Sequence, residues 1–347
     1  MQGQKQYNPT IDILRVISIL AVILIHTTTR TLEASLFNLQ NFSWVLFLNQ
    51  ASRFAVPLFF MISGFVLELN YHLHESYLSY LKKRINRILI PYFFWSAVYY
   101  FFIYTKHTEN FLQTIISGDA SYQLYFIPSL ILFYLIFPFI HKYYNLFFNK
   151  WAMLILVLLQ FLILSFDYYI HPLPFFYPIS ITLLNFFIFF FGIFVSRNLN
   201  KLMILVKKWR FILFFITFIL ALFVFYEGES LYLKTQNYLS FYSQWRPSVL
   251  VYTIFLAGFL YYLLNRSKLN TSIVKTFSKL SFFVFFVHVI VLEEVWKFFG
   301  KDIFYLTKNN ILGQLWFAPL FFFAVAFISF FTAFLIHKVP KLSKLTG

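Results

Sequence analysis

The stretch IDILRVISILAVILIH, from Ile11 to His26, is apolar enough to enter a bilayer, yet it keeps Asp12 and Arg15 near one end and a histidine at the other. Ionisable groups in hydrocarbon are costly and usually line a cavity or meet a partner. Arg15 and His26 stand 11 positions apart. At about 100° per residue they return to within roughly 20° of each other after three turns, with about 16 Å of helix axis between them. One face therefore joins an inner-half cation to an outer-half imidazole, with Ser18 and Val22 near the same stripe. The pair alone leaves two bland alternatives open, an arginine snorkelling to the surface and an interfacial histidine without chemistry. Upstream, Asn8-Pro9-Thr10 reads as a helix start, with Thr10 as N-cap and Asp12 in the first turn, where the helix dipole favours an acid.

The rest of the chain shares the apolar character of this stretch: 61% hydrophobic, 24% aromatic and only 12% charged. That exceeds the roughly 45–50% apolar content of soluble domains and gives an all-α polytopic membrane protein. A span needs about 20 mainly apolar residues, and ten windows qualify as candidates: 10–27, 44–69, 88–104, 122–141, 151–169, 179–196, 210–226, 245–264, 280–298 and 313–337. Loops between them are short, so a single membrane domain is expected over 1–347, with no separate soluble domain. The first run has no small-x-small cleavage pattern and reads as a retained helix.

Net charge is +16, carried by 28 Lys and Arg, and their placement argues against nucleic acid as the partner. With the N-terminus inside, 19 fall in inner segments (among them Lys5, Lys82, Lys83, Arg84, Arg87, Lys268, Lys341 and Lys344), and six fall in outer ones, including Lys106. This bias puts both termini in the cytoplasm by the positive-inside rule, while acids such as Glu33, Glu109 and Glu227 lean outward. There is no cysteine, which excludes disulfides, thiolate metal sites and a cysteine nucleophile. No metal is expected, and the chemistry falls to histidine, arginine, acids and hydroxyls.

Three arginines remain at membrane depth: Arg15, Arg53 and Arg246. Arg53 opens FAVPLFFMISGF, in which Pro57 can kink the helix and Ser63-Gly64 allow close packing or a polar lining. By the same counting Arg53, Asp167, Arg246, Glu293 and Glu294 occupy the outer half and His288 mid-depth, a set that could form a polar vestibule for a hydrophilic substrate. His288 and the two glutamates also fit a purely structural role as partners between helices. At the opposite mouth, Arg84 and Arg87 at i and i+3 share a helical face, a geometry suited to phosphate or pyrophosphate. Juxtamembrane basic residues equally serve as topology anchors or contacts to membrane lipid.

Taken in order, these motifs resemble the acyltransferase-3 family of integral membrane acyltransferases. DILRVISILAVILIH is similar to that family's Arg-x10-His first helix; RFAVPLFFMISGF (Arg53–Phe65) resembles its second; Arg84-Ile-Asn-Arg87 matches its Arg-x-x-Arg. LYFIPSLILFYLIFPFI at 124–140 is similar to the fourth-helix pattern, with Tyr125 where tryptophan is common, and LSFFVFFVHVIVL at 280–292 resembles the late helix carrying His288.

The resemblance implies transfer of an acyl group, commonly acetyl, from cytoplasmic acyl-CoA to a hydroxyl of an envelope glycan or lipid-linked sugar. It implies His26 as the catalytic histidine, Arg15 as its partner in the first helix, and Arg84 and Arg87 in the acyl-CoA site. Arg53, His288, Glu293, Glu294 and Arg246 are the candidates for holding the carbohydrate acceptor. His26 could act as general base or carry the acyl group transiently. Some family members carry an extra extracytoplasmic domain, and this sequence ends at Gly347 without one. The expected setting is a multi-pass protein of a bacterial cytoplasmic membrane. Two other classes remain open: a transporter or flippase for a glycan or lipid-linked saccharide, and a non-catalytic scaffold of an envelope assembly complex.

Overall fold

The computed structural model describes residues 8–36, 38–71, 76–104, 110–235, 239–266 and 271–339. Lys5, Lys106, Glu109, Lys268, Lys341 and Lys344, used above for topology, lie outside the described residues. Every regular element among the described residues is helical: α1 (Pro9–Ala34), α2 (Leu39–Ala51), α3 (Ala55–Leu69), α4 (Tyr77–Val98), α5 (Phe111–Ser117), α6 (Phe126–Lys142), α7 (Tyr144–Phe147), α8 (Lys150–Tyr169), α9 (Tyr177–Lys208), α10 (Arg210–Thr235), α11 (Leu239–Tyr242), α12 (Pro247–Leu264), α13 (Thr271–Val295), α14 (Lys301–Thr307) and α15 (Ile311–His337). α4 and α13 each run on into a π-helical turn, Tyr99–Ile103 and Trp296–Gly300.

Seven of these segments are long and apolar enough to cross a membrane: α1, 41–69, α8, α9, α10, α12 and 313–337. α6 is apolar but shorter. The remaining expected spans correspond to α4 and α13. α4 opens on Lys82, Lys83, Arg84 and Arg87, and α13 carries Lys275, Lys279, Glu293 and Glu294. The protein is thus an all-α polytopic membrane protein. α8 and α10 turn large apolar side chains outward, among them Leu158, Leu162, Phe215 and Phe218. In water such surfaces would drive association; in a bilayer they are the lipid-facing wall.

α1 is central and packs against α2, α3, α12, α13 and α15. Its N-cap differs from expectation: Asn8 accepts from the Thr10 amide at 3.1 Å and the Ile11 amide at 3.4 Å, so Asn8 caps the helix and Thr10 is inside it. Pro9 explains the shift, because a ring-fixed φ and a missing N–H suit the first helical position.

The second span is not one kinked helix. It breaks into α2 and α3 at Ser52–Phe54, and Pro57 sits in the first turn of α3, where its missing N–H costs nothing. The break is what releases Arg53 from regular helix. Further along α3, Gly64 and, on α9, Gly192 let the two backbones touch. A methyl added to Gly64 would collide with the Phe189 carbonyl, and one added to Gly192 with the Met61 carbonyl. This is the close-packing use of Ser63-Gly64; the Ser63 hydroxyl simply donates back to the Phe59 carbonyl at 2.8 Å.

α8 is fixed to α9 by Gln160. Its amide donates to the Leu183 and Leu184 carbonyls at 3.3 and 3.1 Å, and its oxygen accepts from the Phe187 amide at 2.9 Å. α5 ends at Gly118 with φ 84°, a left-handed stop that a β-carbon would disfavour. The chain then turns through 119–125 into α6, and this loop delivers Tyr122 and Gln123 to the site described next.

Candidate active site

α1 and α13 run side by side and place two polar clusters at opposite ends. At the first end, Arg15 donates to Asp12 Oδ1 at 2.8 Å and to Ser278 Oγ at 3.0 Å, and Ser278 Oγ donates to Asp12 Oδ1 at 2.6 Å. This closed triangle ties α1 to α13 and explains why an acid stands three residues before Arg15. The Tyr134 hydroxyl of α6 lies within electrostatic reach of Arg15, Arg84 and Arg87 together. Arg84 is held against its own helix, with its guanidinium 4.1 Å over the Tyr80 ring. The fold thus gathers three arginines from two helices into one basic end. Arg15 thus stands with Arg84 and Arg87, at the end of α1 away from His26.

At the other end a cavity of about 520 Å³ opens beside His26. α1 supplies Val22, His26, Arg30 and Glu33; the α2–α3 break and α3 supply Arg53, Val56 and Phe59; the loop before α6 supplies Tyr122, Gln123 and Tyr125. Tyr242, Gln244 and Trp245, between α10 and α12, and Phe285 and Glu293 of α13 complete it. The His26 ring lies between two others, with Tyr122 at 4.7 Å and His288 at 5.3 Å between centroids. Its nitrogens have no hydrogen-bond partner among the described residues.

His288 is fully buried behind His26, with Nδ1 3.0 Å from the Val284 carbonyl. A carbonyl can only accept, so Nδ1 carries the proton. Its Nε2 has no partner among the described residues. His288 therefore sets the position of the His26 ring more than it meets the cavity.

Arg53 is 3% exposed and reaches the cavity wall. Nε donates to Asn49 Oδ1 at 3.1 Å, and Nη1 donates to the Tyr242 carbonyl. Asn49 in turn donates to the Ile25 carbonyl and to the hydroxyls of Thr28 and Thr29, each at 3.0 Å. The single amide of Asn49 therefore ties Arg53 to the turn of α1 that carries His26. Elsewhere in the cavity lining, Arg30 lies between Glu33 at 3.8 Å and Glu293 at 3.7 Å, and the Tyr242 hydroxyl donates to Glu33 at 3.0 Å.

Two of the sequence candidates lie elsewhere. Arg246 is fully buried behind the wall, 3.2 Å from Glu227 and donating to Gln50 Oε1 at 2.5 Å. Through Gln50, whose amide reaches Asn49 Oδ1 at 3.2 Å, it supports Arg53 at second hand. Glu294 points away and pairs with Lys297 at 2.8 Å on the surface. The residues that sequence reasoning missed are neutral or locally unremarkable: Asn49, Tyr122, Gln123, Tyr242, Arg30 and Glu33. One signal was available, the Asn-Gln pair inside FLNQASRF, since neighbouring carboxamides in an apolar run require partners.

Among the described residues no three His, Cys, Asp or Glu side chains are grouped so as to hold a metal ion. What the geometry offers is an imidazole whose nitrogens are unsatisfied among the described residues, in a cavity with polar walls, linked along α1 to an arginine cluster suited to phosphates. No curated protein and no solved structure matches this chain. The acyltransferase-domain profile of the acyltransferase-3 family matches residues 8–338, and the chain belongs to that family of integral membrane acyltransferases.

Proposed function

We propose that this protein moves an acyl group, in the first instance acetyl, from cytoplasmic acyl-CoA to a hydroxyl of an envelope glycan or lipid-linked sugar. The observation that carries the reading is His26, whose ring nitrogens have no hydrogen-bond partner among the described residues, in a cavity at the far end of the helix whose near end meets Arg84 and Arg87. On this reading the chain spans the bacterial cytoplasmic membrane about ten times with both termini inside, so the basic end faces the cytoplasm.

Coenzyme A carries several phosphates and cannot enter hydrocarbon. Arg84 and Arg87 hold those phosphates at the inner surface, with Arg15 beside them, and the thin pantetheine arm extends along α1 toward His26. The acceptor enters from outside. A His26 ring nitrogen takes the proton of its hydroxyl as the oxygen attacks the thioester carbonyl; the carbon–sulfur bond breaks, and the CoA thiolate leaves and is protonated. Tyr122 and His288, each tilted against the ring, hold it in place, and Arg53 and Glu293 contact the acceptor.

The test is transfer from labelled acyl-CoA in proteoliposomes, comparing wild type with His26→Ala and with Arg84→Ala/Arg87→Ala. His26→Ala is expected to lose at least about 100-fold in rate, the scale of general-base catalysis, with donor binding intact. The double arginine variant is expected to bind the donor more weakly. Full activity in a stably inserted His26→Ala protein would refute the role of His26, and unchanged donor affinity in the double variant would refute the phosphate clamp. Stabilisation of the purified protein by a glycan with no response to acyl-CoA would favour transport instead.

A further inference from the structure

Buried charges in proteins are ordinarily paired. Arg53 is 3% exposed, and its hydrogen-bond acceptors are neutral oxygens, those of Asn49 and the Tyr242 backbone. Among the described residues no carboxylate lies within ion-pair distance of it. The two acids of the same cavity, Glu33 and Glu293, stand around Arg30 instead. Arg246, the next guanidinium behind Arg53, has a counter-ion in Glu227. The cavity is therefore polarised between a cation with no carboxylate partner among the described residues and two carboxylates that share one arginine.

We propose that Arg53 reads an anionic group, a carboxylate or phosphate, on the sugar that occupies the cavity, so that the preferred acceptor is an acidic saccharide. This rests on the acyl-transfer reading and narrows its acceptor. The anion completes the missing ion pair at Arg53, and a guanidinium held in place by Asn49 loses little freedom in making it. Glu33 and Glu293 then accept from the sugar hydroxyls across the cavity. The same polarity disfavours the reversed ligand, whose anion would face the two carboxylates. A neutral sugar of the same size leaves Arg53 buried without a counter-ion, so the site discriminates through the group left unpaired.

The experiment uses full-length purified protein in nanodiscs with methyl β-D-glucuronide, glucose 6-phosphate and methyl β-D-glucoside as probes at matched ionic strength. Thermal stabilisation reports binding, and transfer from labelled acetyl-CoA and malonyl-CoA reports turnover. Wild type is expected to bind the two acidic probes about 10- to 100-fold more tightly than the glucoside, the scale of a charge-assisted hydrogen bond. Arg53→Gln is expected to abolish that preference, and Arg53→Lys to keep part of it.

Equal binding of acidic and neutral probes by wild type overturns the proposal without recourse to any variant. Retention of the preference in a folded Arg53→Gln protein overturns the assignment to Arg53. An Arg53-dependent preference for malonyl-CoA over acetyl-CoA, with no preference among the sugars, places the anion on the acyl group and overturns the proposal as stated. Arg53-dependent binding of the acidic probes by a protein that transfers no acyl group would support this inference while refuting the proposed activity.

Discussion

Asn49→Leu removes the residue through which the fold aims both Arg53 and His26, with little change in volume. Asn49 is fully buried, so nothing from solvent replaces what it gives up. Arg53 shares Nε and Nη2 on the single oxygen Oδ1, so the loss counts as about one hydrogen bond to a charged group, roughly 1.5–3 kcal/mol. The Nδ2 side adds about 1 kcal/mol, because the Thr28 hydroxyl and the Ile25 carbonyl keep a bond to each other at 3.0 Å. The expected destabilisation is therefore roughly 2.5–4 kcal/mol, visible as a lower melting temperature of purified protein. Activity should fall further than stability implies, because a guanidinium and an imidazole displaced by about 1 Å can cost about 100-fold in rate. Donor affinity should not change, since Arg84 and Arg87 lie at the other end of α1. Asn49→Asp is the informative partner: it keeps an acceptor for Arg53 but makes it a carboxylate, so the acidic-sugar preference should vanish while Arg53 stays in place. The assays are thermal unfolding, equilibrium titration with acyl-CoA, and acyl transfer. An unchanged melting temperature in Asn49→Leu would refute the role of the network, and donor binding that weakens as much as transfer would refute the independence of the two ends.

Two further outcomes concern the scaffold. Gly64→Ala and Gly192→Ala each drive a methyl into a facing carbonyl, so each should cost about 1–3 kcal/mol by overpacking and the pair less than the sum, because the first separation of α3 and α9 relieves the second; a strictly additive double mutant in thermal unfolding would show that the two glycines do not share one crossing. Gln160→Leu leaves the Phe187 amide and two α9 carbonyls without their side-chain partner. It should destabilise by about 1–3 kcal/mol with transfer by the folded fraction unaltered, and a specific loss of transfer would place α8 in the active site.

What was legible in the sequence is what hydrocarbon makes conspicuous. Arg15, His26 and His288 stand out because a charge or imidazole in an apolar run is rare, and the 3.6-residue period put Arg15 and His26 on one face; α13 indeed meets both, through Ser278 and His288. Arg53 and Arg246 gave the same signal and met different fates. Arg246 is neutralised by Glu227, 19 positions before it in sequence but one helix away in space, and nothing local encodes that pairing. Gln50 is likewise bound to the Phe241 carbonyl, 191 positions away. Helix caps and breaks were misplaced for a similar reason: Asn8 and Thr10 are both capable acceptors, and which one caps depends on where Pro9 starts the helix. The neutral members of the site, Tyr122 and Gln123, lie in a loop whose course is set by the left-handed turn at Gly118, and their relation to His26 exists only once α1, α6 and α13 are packed.

The two ends of the site are joined by α1, and what lies between them bears on how an acyl group could pass. Ser18, on the stripe between Arg15 and His26, is fully buried and donates to the Leu14 carbonyl at 2.8 Å, so it offers no polar path. Three phenyl rings that line the cavity pack on one another: Phe59 lies 6.1 Å from Phe126, and Phe126 5.7 Å from Phe285, between centroids. Such a cluster of rings has a physical use on the proposed route. A pantetheine arm is slender and can be admitted by rotation of a few aromatic rings, whereas the charged nucleotide behind it cannot follow and stays with Arg84 and Arg87. Water and ions on the same route would have to shed their hydration among rings that return no hydrogen bond. A membrane protein that delivered its acyl group this way would expose the thioester to His26 without opening a continuous aqueous passage, and it would need no large rearrangement of its helices to do so.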